Sequence, residues 1–398
     1  MWLLAAFGRL PGVATARSYR RGWLRGDVTA GLALSALLVP TGMGYAQAAG
    51  LPPYTGLYAT VVPMLVYAVV GPSRILVLGP DSALAPLIAA AVIPLAADGD
   101  PQRAVALAGV LALLVGAILL VGGILRFGFL TYLLSTPIRV GFLNAIAIIV
   151  IVGQLPLLLG TSADESGVVA EVLDVVDDVF EDGVEPVGLL LGVGTLAVIL
   201  ALQKVVPRIP AVLVAVVAAS AAVEVFGLTD RVEMVGALPA GIPAPVLGGI
   251  ERGDVIELLA PAVAVAVIAF ADTAVLSRSF ALRRGEDVDG SSEMRALGVV
   301  NIAAGATGGF PICGSGSRTP VLVQAGARTQ LAGAVGAVTV AIFLLAAPGA
   351  TAYLPQAALA AVVIAAASAL VDVKGLGRLW RVNKIEFCLS FAAFVAVG

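Results

Sequence analysis

Apolar runs of bilayer-spanning length recur along this chain, and they constrain its fold more than any other feature. A helix crosses a hydrocarbon core of about 30 Å with about 20 apolar residues. Runs of that order fall near 28–48, 55–71, 75–96, 103–122, 127–153, 187–203 and 209–227. A second set follows near 255–278, 294–309, 311–327, 329–347, 353–371 and 385–398. Composition agrees, since 60% of the 398 residues are hydrophobic and 12% charged, against roughly 45–50% apolar and about 25% charged in soluble domains. The expected fold class is therefore an all-α polytopic membrane protein with the lipid bilayer as its surroundings.

Net charge says little, but its distribution sets an orientation. Arg9, Arg17, Arg20, Arg21 and Arg25 precede the first run with no acid among them, and that run has no small-residue cleavage site. The N-terminus is expected in the cytoplasm and the protein in the inner (plasma) membrane. Following the spans, Arg74, Arg126, Lys204, Arg208, Arg278, Arg283, Arg284, Arg328, Lys374, Arg378 and Arg381 fall on the N-terminal side, with Arg103, Arg231 and Arg252 as exceptions. The chain has no histidine, so any proton movement must use carboxylates. Cys313 and Cys388 lie in separate apolar segments without metal-ligand spacing and are read as small buried hydrophobes. The acidic stretch at 161–186 repeats Val and Phe at helical spacing; it is expected to be a surface helix, the alternative being an acidic cation-binding vestibule.

The two sets of spans carry similar features in similar order, which suggests an internal repeat. In each, the third segment is broken near its start: GPSRILVLGPDSALAP at 71–86 and GGFPICGSGSRTP at 308–320. A short β-compatible piece (75–78; 311–313) leads to Gly79 or Gly314, then Ser82 or Ser317, then a helical run. Paired broken segments at matching places point to a transporter binding site. A repeat of seven segments must be inverted to return, so the expected architecture is a seven-plus-seven transmembrane inverted repeat, with two half-helices preceded by short β-strands in segments 3 and 10. The expected division is a cytoplasmic arm at 1–26, a first repeat at 27–227, an extracytoplasmic connector at 228–254 and a second repeat at 255–398. The second set has six spans before Gly398, so its last span is expected to be missing.

A half-helix starting at Ser317 would begin near the membrane midplane, because the stretch to Ala327 rises only about 16 Å. Free N–H groups and a positive dipole end there make an anion site, and a matching half-helix starting near Pro80 would point at the same ligand. Arg318 sharpens this, because a buried guanidinium needs a counter-charge. The substrate anion is one candidate and Asp272, midway along an apolar span, the other. Asp272 is read either as a proton carrier competing with substrate for Arg318 or as its permanent structural partner. Asp81 is read as a helix cap or a site residue. Ser82, Ser315, Ser317 and Thr319 are read as ligands or as partners for broken backbone. Pro40 is expected to break the first span, with Thr41 and Tyr45 on one face beyond it. Tyr45 either lines the cavity or anchors at the interface.

With these residues in view the chain resembles the sulfate permease (SulP/SLC26) anion transporters. Pro40, Tyr45, Gly50, Leu51, Pro52, Pro53, Gly56, Leu57 and Tyr58 match a family signature, and GSGSRT at 314–319 and AGARTQLAG at 325–333 add to it. The resemblance covers the chain from Asp27 onward. It implies fourteen spans in two inverted repeats, a core domain of segments 1–4 and 8–11, a gate domain of segments 5–7 and 12–14, a homodimer, and a cytoplasmic C-terminal STAS domain absent from this chain. It also implies an anion held by Thr41, Tyr45, Pro80, Asp81, Ser82, Gly314, Ser317 and Arg318. The family often has Gln at the place of Thr41 and Glu at that of Asp272, which leaves substrate and coupling ion open.

On this basis the expected function is import of a C4-dicarboxylate such as fumarate by proton symport, through an elevator-like alternating-access cycle with Asp272 as the proton-coupling acid. Sulfate or bicarbonate transport, or anion exchange, is the alternative. A nucleobase permease and a channel-like anion conductor are the rivals, though a nucleobase site would want an acid where Arg318 stands. No cofactor, metal or nucleic-acid partner is called for, and no enzymatic nucleophile–base pair stands in any aqueous segment.

Overall fold

The computed structural model describes residues 10–96, 100–132, 144–145, 147–159, 173, 185–206, 211–236, 238, 248–346, 348–368, 371, 380, 384, 387–388 and 390–391. The acidic stretch at 161–186 and the spans expected at 127–153 and 385–398 lie wholly or partly outside these residues. The chain forms two compact units, one from Met1–Leu133 and Ala240–Ala346, the other from Leu134–Pro239 and Ala347–Gly398.

The first unit opens with α1 (Pro11–Arg17), α2 (Leu24–Ala48) and α3 (Tyr54–Val70). Strand β1 (Leu78–Gly79) leads to the half-helix α4 (Ala85–Val92), and α5 (Pro101–Ile124) follows. Helix α5 is apolar on every face, so only its ends carry polar instructions. Asp100 caps it by accepting the Gln102 N–H at 2.9 Å, with Pro101 at the first helical position. By length and composition α2, with the short turn before it, and α5 are each able to cross a membrane.

The same unit resumes later in the chain with α9 (Arg252–Arg283), α10 (Gly290–Ala306), β2 (Cys313–Gly314), α11 (Arg318–Gln324) and α12 (Leu331–Ala346). Helix α9 is the third span-length helix of this unit and starts with a capping box between Glu251 and Asp254. Asp289 caps α10 through the Ser292 N–H.

Small residues set how closely these helices approach. Gly109 and Gly116 of α5 face Gly305 and Gly298 of α10, a seven-residue spacing on both sides. A Cβ on Gly298 would fall 2.6 Å from the Leu120 amide and 2.8 Å from the Gly116 carbonyl. Helices without a hydrophobic driving force between them pack through such backbone approaches. Gly56 of α3 meets Gly42 of α2 in the same way, with no room for any side chain.

At its N-terminal end, Asp27 ties α2 to the start of α12. The carboxylate is fully buried and accepts the N–H groups of Arg328 (2.6 Å) and Thr329 (3.1 Å) and the hydroxyls of Thr329 (2.7 Å) and Tyr19 (3.0 Å). Four donors on one buried acid satisfy a charge that would otherwise be costly to desolvate.

The second unit contains α6 (Leu155–Leu159), α7 (Pro186–Val205), α8 (Ala211–Phe226) and α13 (Gln356–Ser368). Leu158, Ala361 and Ile364 form a small core there, joined by Ile151 and Leu196. A backbone bridge ties its two chain segments, with Val235 N–H donating to Leu354 O and Gln356 N–H to Glu233 O, each at 2.9 Å.

The helical membrane fold with broken segments agrees with the sequence expectation, and three details differ. Helix α2 runs unbroken through Pro40, because its buried, glycine-rich surroundings hold the turn together. The half-helix expected from Pro80 starts at Ala85, after a turn in which the Leu84 and Ala85 amides both donate to Asp81 O. Cys388 is exposed on the molecular surface, whereas Cys313 is buried as expected.

The glycine contacts make a direct expectation. Gly298→Val should lower stability by about 1–3 kcal/mol through overpacking against α5 backbone, read as a fall in Tm of the detergent-purified protein. Gly194→Val, where nothing lies within 4 Å, should leave Tm unchanged.

Candidate anion site

Strands β1 and β2 lie antiparallel in the first unit, pairing Leu78 with Gly314 and Gly79 with Cys313. Two residues per strand cannot satisfy the backbone around the breaks, and side chains supply the remainder. Asn301 of α10 accepts the Ile312 N–H at 2.9 Å and donates to Ile312 O at 3.1 Å. Thr273 of α9 accepts the Gly314 N–H at 2.8 Å. Val77 N–H donates to Thr319 Oγ1, and Ser315 N–H donates to Val77 O. Gln330 donates to the carbonyls of Ser73 and Leu76, both at 2.9 Å.

Arg318, the first residue of α11, is 1% exposed and runs across this crossing toward the β1 side. Its Nε donates to Ser315 Oγ at 2.9 Å, its Nη2 donates to Pro80 O, and Nη2 stands 4.0 Å from Asp81 Oδ2. Its Nη1 is buried without a hydrogen-bond partner among the described residues. Gly79, at φ +154°, makes space for this end of the guanidinium: a Cβ there would sit 3.0 Å from Nη1. Tyr45, 2% exposed, brings its phenol within reach of Ser82, Ser317, Asp81 and Arg318. The structure thus gathers Tyr45, Pro80, Asp81, Ser82, Ser317 and Arg318 around one point, with Gly314 in the strand beneath.

The remaining expected residues sit differently. The Thr41 hydroxyl donates to Leu37 O of its own helix at 2.6 Å, an i−4 back-bond beside Pro40. Tyr45 is too deeply buried for an interface anchor. Asp81 is not a helix cap; its carboxylate accepts the Ala83 N–H within the turn at 3.3 Å. Asp272 is half-buried on α9, beside Thr273 and near Cys313, and the acid at ion-pair distance from Arg318 is Asp81 instead. Helix α11 has 7 residues, too short for a developed macrodipole, so the positive field here comes chiefly from the guanidinium.

A family model described as "Sulfate permease family" matches residues 24–393, nearly the whole chain. The chain belongs to the sulfate permease family. This is a family of multi-pass membrane transporters, not of enzymes. A probable sulfate transporter of Mycobacterium tuberculosis is 41% identical over 99% of this chain and 70% of its own length. The chloroplastic sulfate transporter 4.1 of Arabidopsis thaliana is 33% identical over 94% of this chain and 55% of its own. Two solved structures share the fold. SLC26A9 has a TM-score of 0.92 at 22% identity, over 99% of this chain and 65% of that one. The transmembrane domain of the cyanobacterial bicarbonate transporter BicA has 0.85 at 23%, over 95% and 96%. This chain therefore spans about two thirds of the length of SLC26A9 and little more than half that of the plant relative.

The structure also shows a fully buried acid that the sequence did not single out. Glu293, in the first turn of α10, is fully buried and accepts the hydroxyls of Tyr67 (2.5 Å) and Ser277 (2.6 Å). It joins α3, α9 and α10. The signal available in advance was slight: an acid at the start of a span, with a tyrosine and a serine far off in sequence.

Removing one of these donors should be costly. Tyr67→Phe leaves Glu293 with one hydroxyl in a buried setting, and a loss of about 1–3 kcal/mol is expected as a lowered Tm in detergent. Thr273→Val, which deprives the Gly314 N–H of its acceptor, should cost a similar amount.

Proposed function

We propose that the chain is a secondary anion transporter whose first substrate is sulfate, held at the β1–β2 crossing by Arg318. The supporting observation is the buried Nη1 of Arg318, which has no partner among the described residues. A guanidinium has donors directed for bidentate contact with an oxyanion, and leaving one buried end unsatisfied is expensive unless a ligand supplies acceptors. Tyr45, Ser82 and Ser317 add hydroxyl donors on the same side. The mycobacterial and plant relatives carry sulfate in their names, which supports sulfate over the C4-dicarboxylate expected from the sequence. Bicarbonate, the anion in the name of the transporter BicA, is the runner-up.

The transport cycle is read as elevator-like alternating access with proton symport, in a homodimer whose N-terminus faces the cytoplasm. Segments 1–4 and 8–11 form the core that carries the site in this reading, and segments 5–7 and 12–14 the gate. A nucleobase would need an acid on α11, where Arg318 stands, and this weighs against a nucleobase permease.

The test is uptake of labelled sulfate, bicarbonate and fumarate into proteoliposomes, with and without an inward proton gradient. Saturable sulfate uptake, lost by at least about tenfold in Arg318→Ala with Tm retained, is the expected result. Arg318→Lys should not restore it, because an ammonium lacks the planar fork. Fumarate uptake without sulfate uptake would return the dicarboxylate reading. Flux through Arg318→Ala equal to that of the wild type would remove the site.

A further inference from the structure

We infer that Asp81 is the proton site of this transporter: its carboxylate holds Arg318 while the site is empty and gives the guanidinium up, taking one proton, when the oxyanion enters. The inference rests on the proposed anion site and concerns how that site is regulated.

The charges at the crossing argue for it. Arg318 is the sole cation among the described residues that touch this point, and Asp81 Oδ2 stands 4.0 Å from its Nη2. With both ionised, the pair is neutral. An entering dianion meets the guanidinium with a carboxylate already alongside it, in a place where charges are poorly screened. Like charges sharing a site favour protonation of one of them, and sulfate stays a dianion across the neutral range. The proton therefore goes to the protein, onto an Asp81 oxygen, and is drawn from the bulk solution.

The groups around Asp81 single it out. From α2 comes Tyr45, which has a hydroxyl to donate and no positive charge. From the β2–α11 side come Arg318, the Ser315 hydroxyl and the Cys313 thiol. From α9 comes Asp272, a second acid close enough to act on Cys313 as Asp81 does. On α5, Arg103 is held away by Leu95 O, Gly249 O and Asp254 at the other end of the half-helix. Among the described residues, no second cation stands ready to compensate Asp81 once Arg318 turns to the substrate. Besides Arg318, the carboxylate has one weak backbone donor, Ala83 N–H at 3.3 Å, and the neutral Ser315 hydroxyl, so Arg318 is the one positive charge beside it among the described residues. Asp27 and Glu293, by contrast, have their donors in place and lie away from the guanidinium.

The experiment is calorimetric titration of sulfate into the detergent-purified protein, in buffers of differing ionisation enthalpy, which counts protons taken up per sulfate bound. The wild type should take up about one proton through Asp81, with apparent affinity falling toward tenfold per pH unit on the alkaline side. Asp81→Asn should bind sulfate with about one proton fewer and a flatter pH profile, and Asp81→Glu should restore both. The same loss in Asp272→Asn, with Asp81→Asn unchanged from wild type, would overturn the inference in favour of the α9 acid. Sulfate binding by the wild type without proton uptake would overturn it while leaving the anion site intact. A wild type that binds no sulfate would remove the site and the inference together. Should Asp81→Asn lose its folded melting transition, the Asp81→Glu pH profile decides: a displaced profile supports the inference and an unmoved one sinks it.

Discussion

The first unit is organised by a single constraint, the need to satisfy backbone amides and carbonyls where two membrane segments are broken. Lipid offers them no partners, and an unpaired backbone group in such a setting costs several kcal/mol. The two-residue pairing of Leu78–Gly79 with Cys313–Gly314 meets only part of that need. Asn301, Thr273, Thr319 and Gln330 meet much of the rest, and they come from three helices and the turn before α12. The crossing is thus held in place from several directions at once. Most polar side chains around it hold backbone, and among the described residues Arg318 is the one at the crossing whose own hydrogen bonds are left incomplete.

That distinction explains which features could be read in the sequence. Spans, breaks and a buried Arg318 follow from hydrophobic run length, from Gly and Pro in mid-span, and from a lone cation set in an apolar segment. The strands were legible as short β-compatible pieces before Gly79 and Gly314. The partner of Arg318 was not. Asp272 stands out in one dimension because it interrupts an apolar helix, whereas Asp81, sitting in a Gly-Pro turn, looks like an ordinary cap. Pairing depends on how two broken segments cross, and no local pattern encodes that. Asp27 and Glu293 escaped for the same reason, since their donors come from residues far off in sequence. Pro40 misled in the opposite direction: a proline signals a break, yet α2 continues through it in closely packed surroundings.

Glycine contributes a second kind of information. The pairs Gly109–Gly305 and Gly116–Gly298 let α5 and α10 meet backbone to backbone, and α10 presents both Asn301 to β2 and Glu293 to α3 and α9. Packing between two apolar helices therefore fixes the polar anchors of the crossing. A small error in the α5–α10 distance would be passed to Ile312 through Asn301, and from there to the turn that carries Ser315 and Arg318.

The pairing of Arg318 with Asp81 bears on how such a carrier returns without cargo. A buried guanidinium facing an empty site would have to cross the low-dielectric region uncompensated, and that penalty would fall on the return step. An exchanger avoids it by always carrying an anion. A symporter has to return empty and so needs an internal counter-charge that leaves the guanidinium when substrate arrives. A carboxylate 4.0 Å from Nη2, in a turn rather than a helix and held otherwise by one weak backbone donor and the neutral Ser315 hydroxyl, has the geometry such a counter-charge requires. If the proposed symport holds, the acid beside the candidate anion site serves the empty carrier, and its protonation is what allows the loaded one to form.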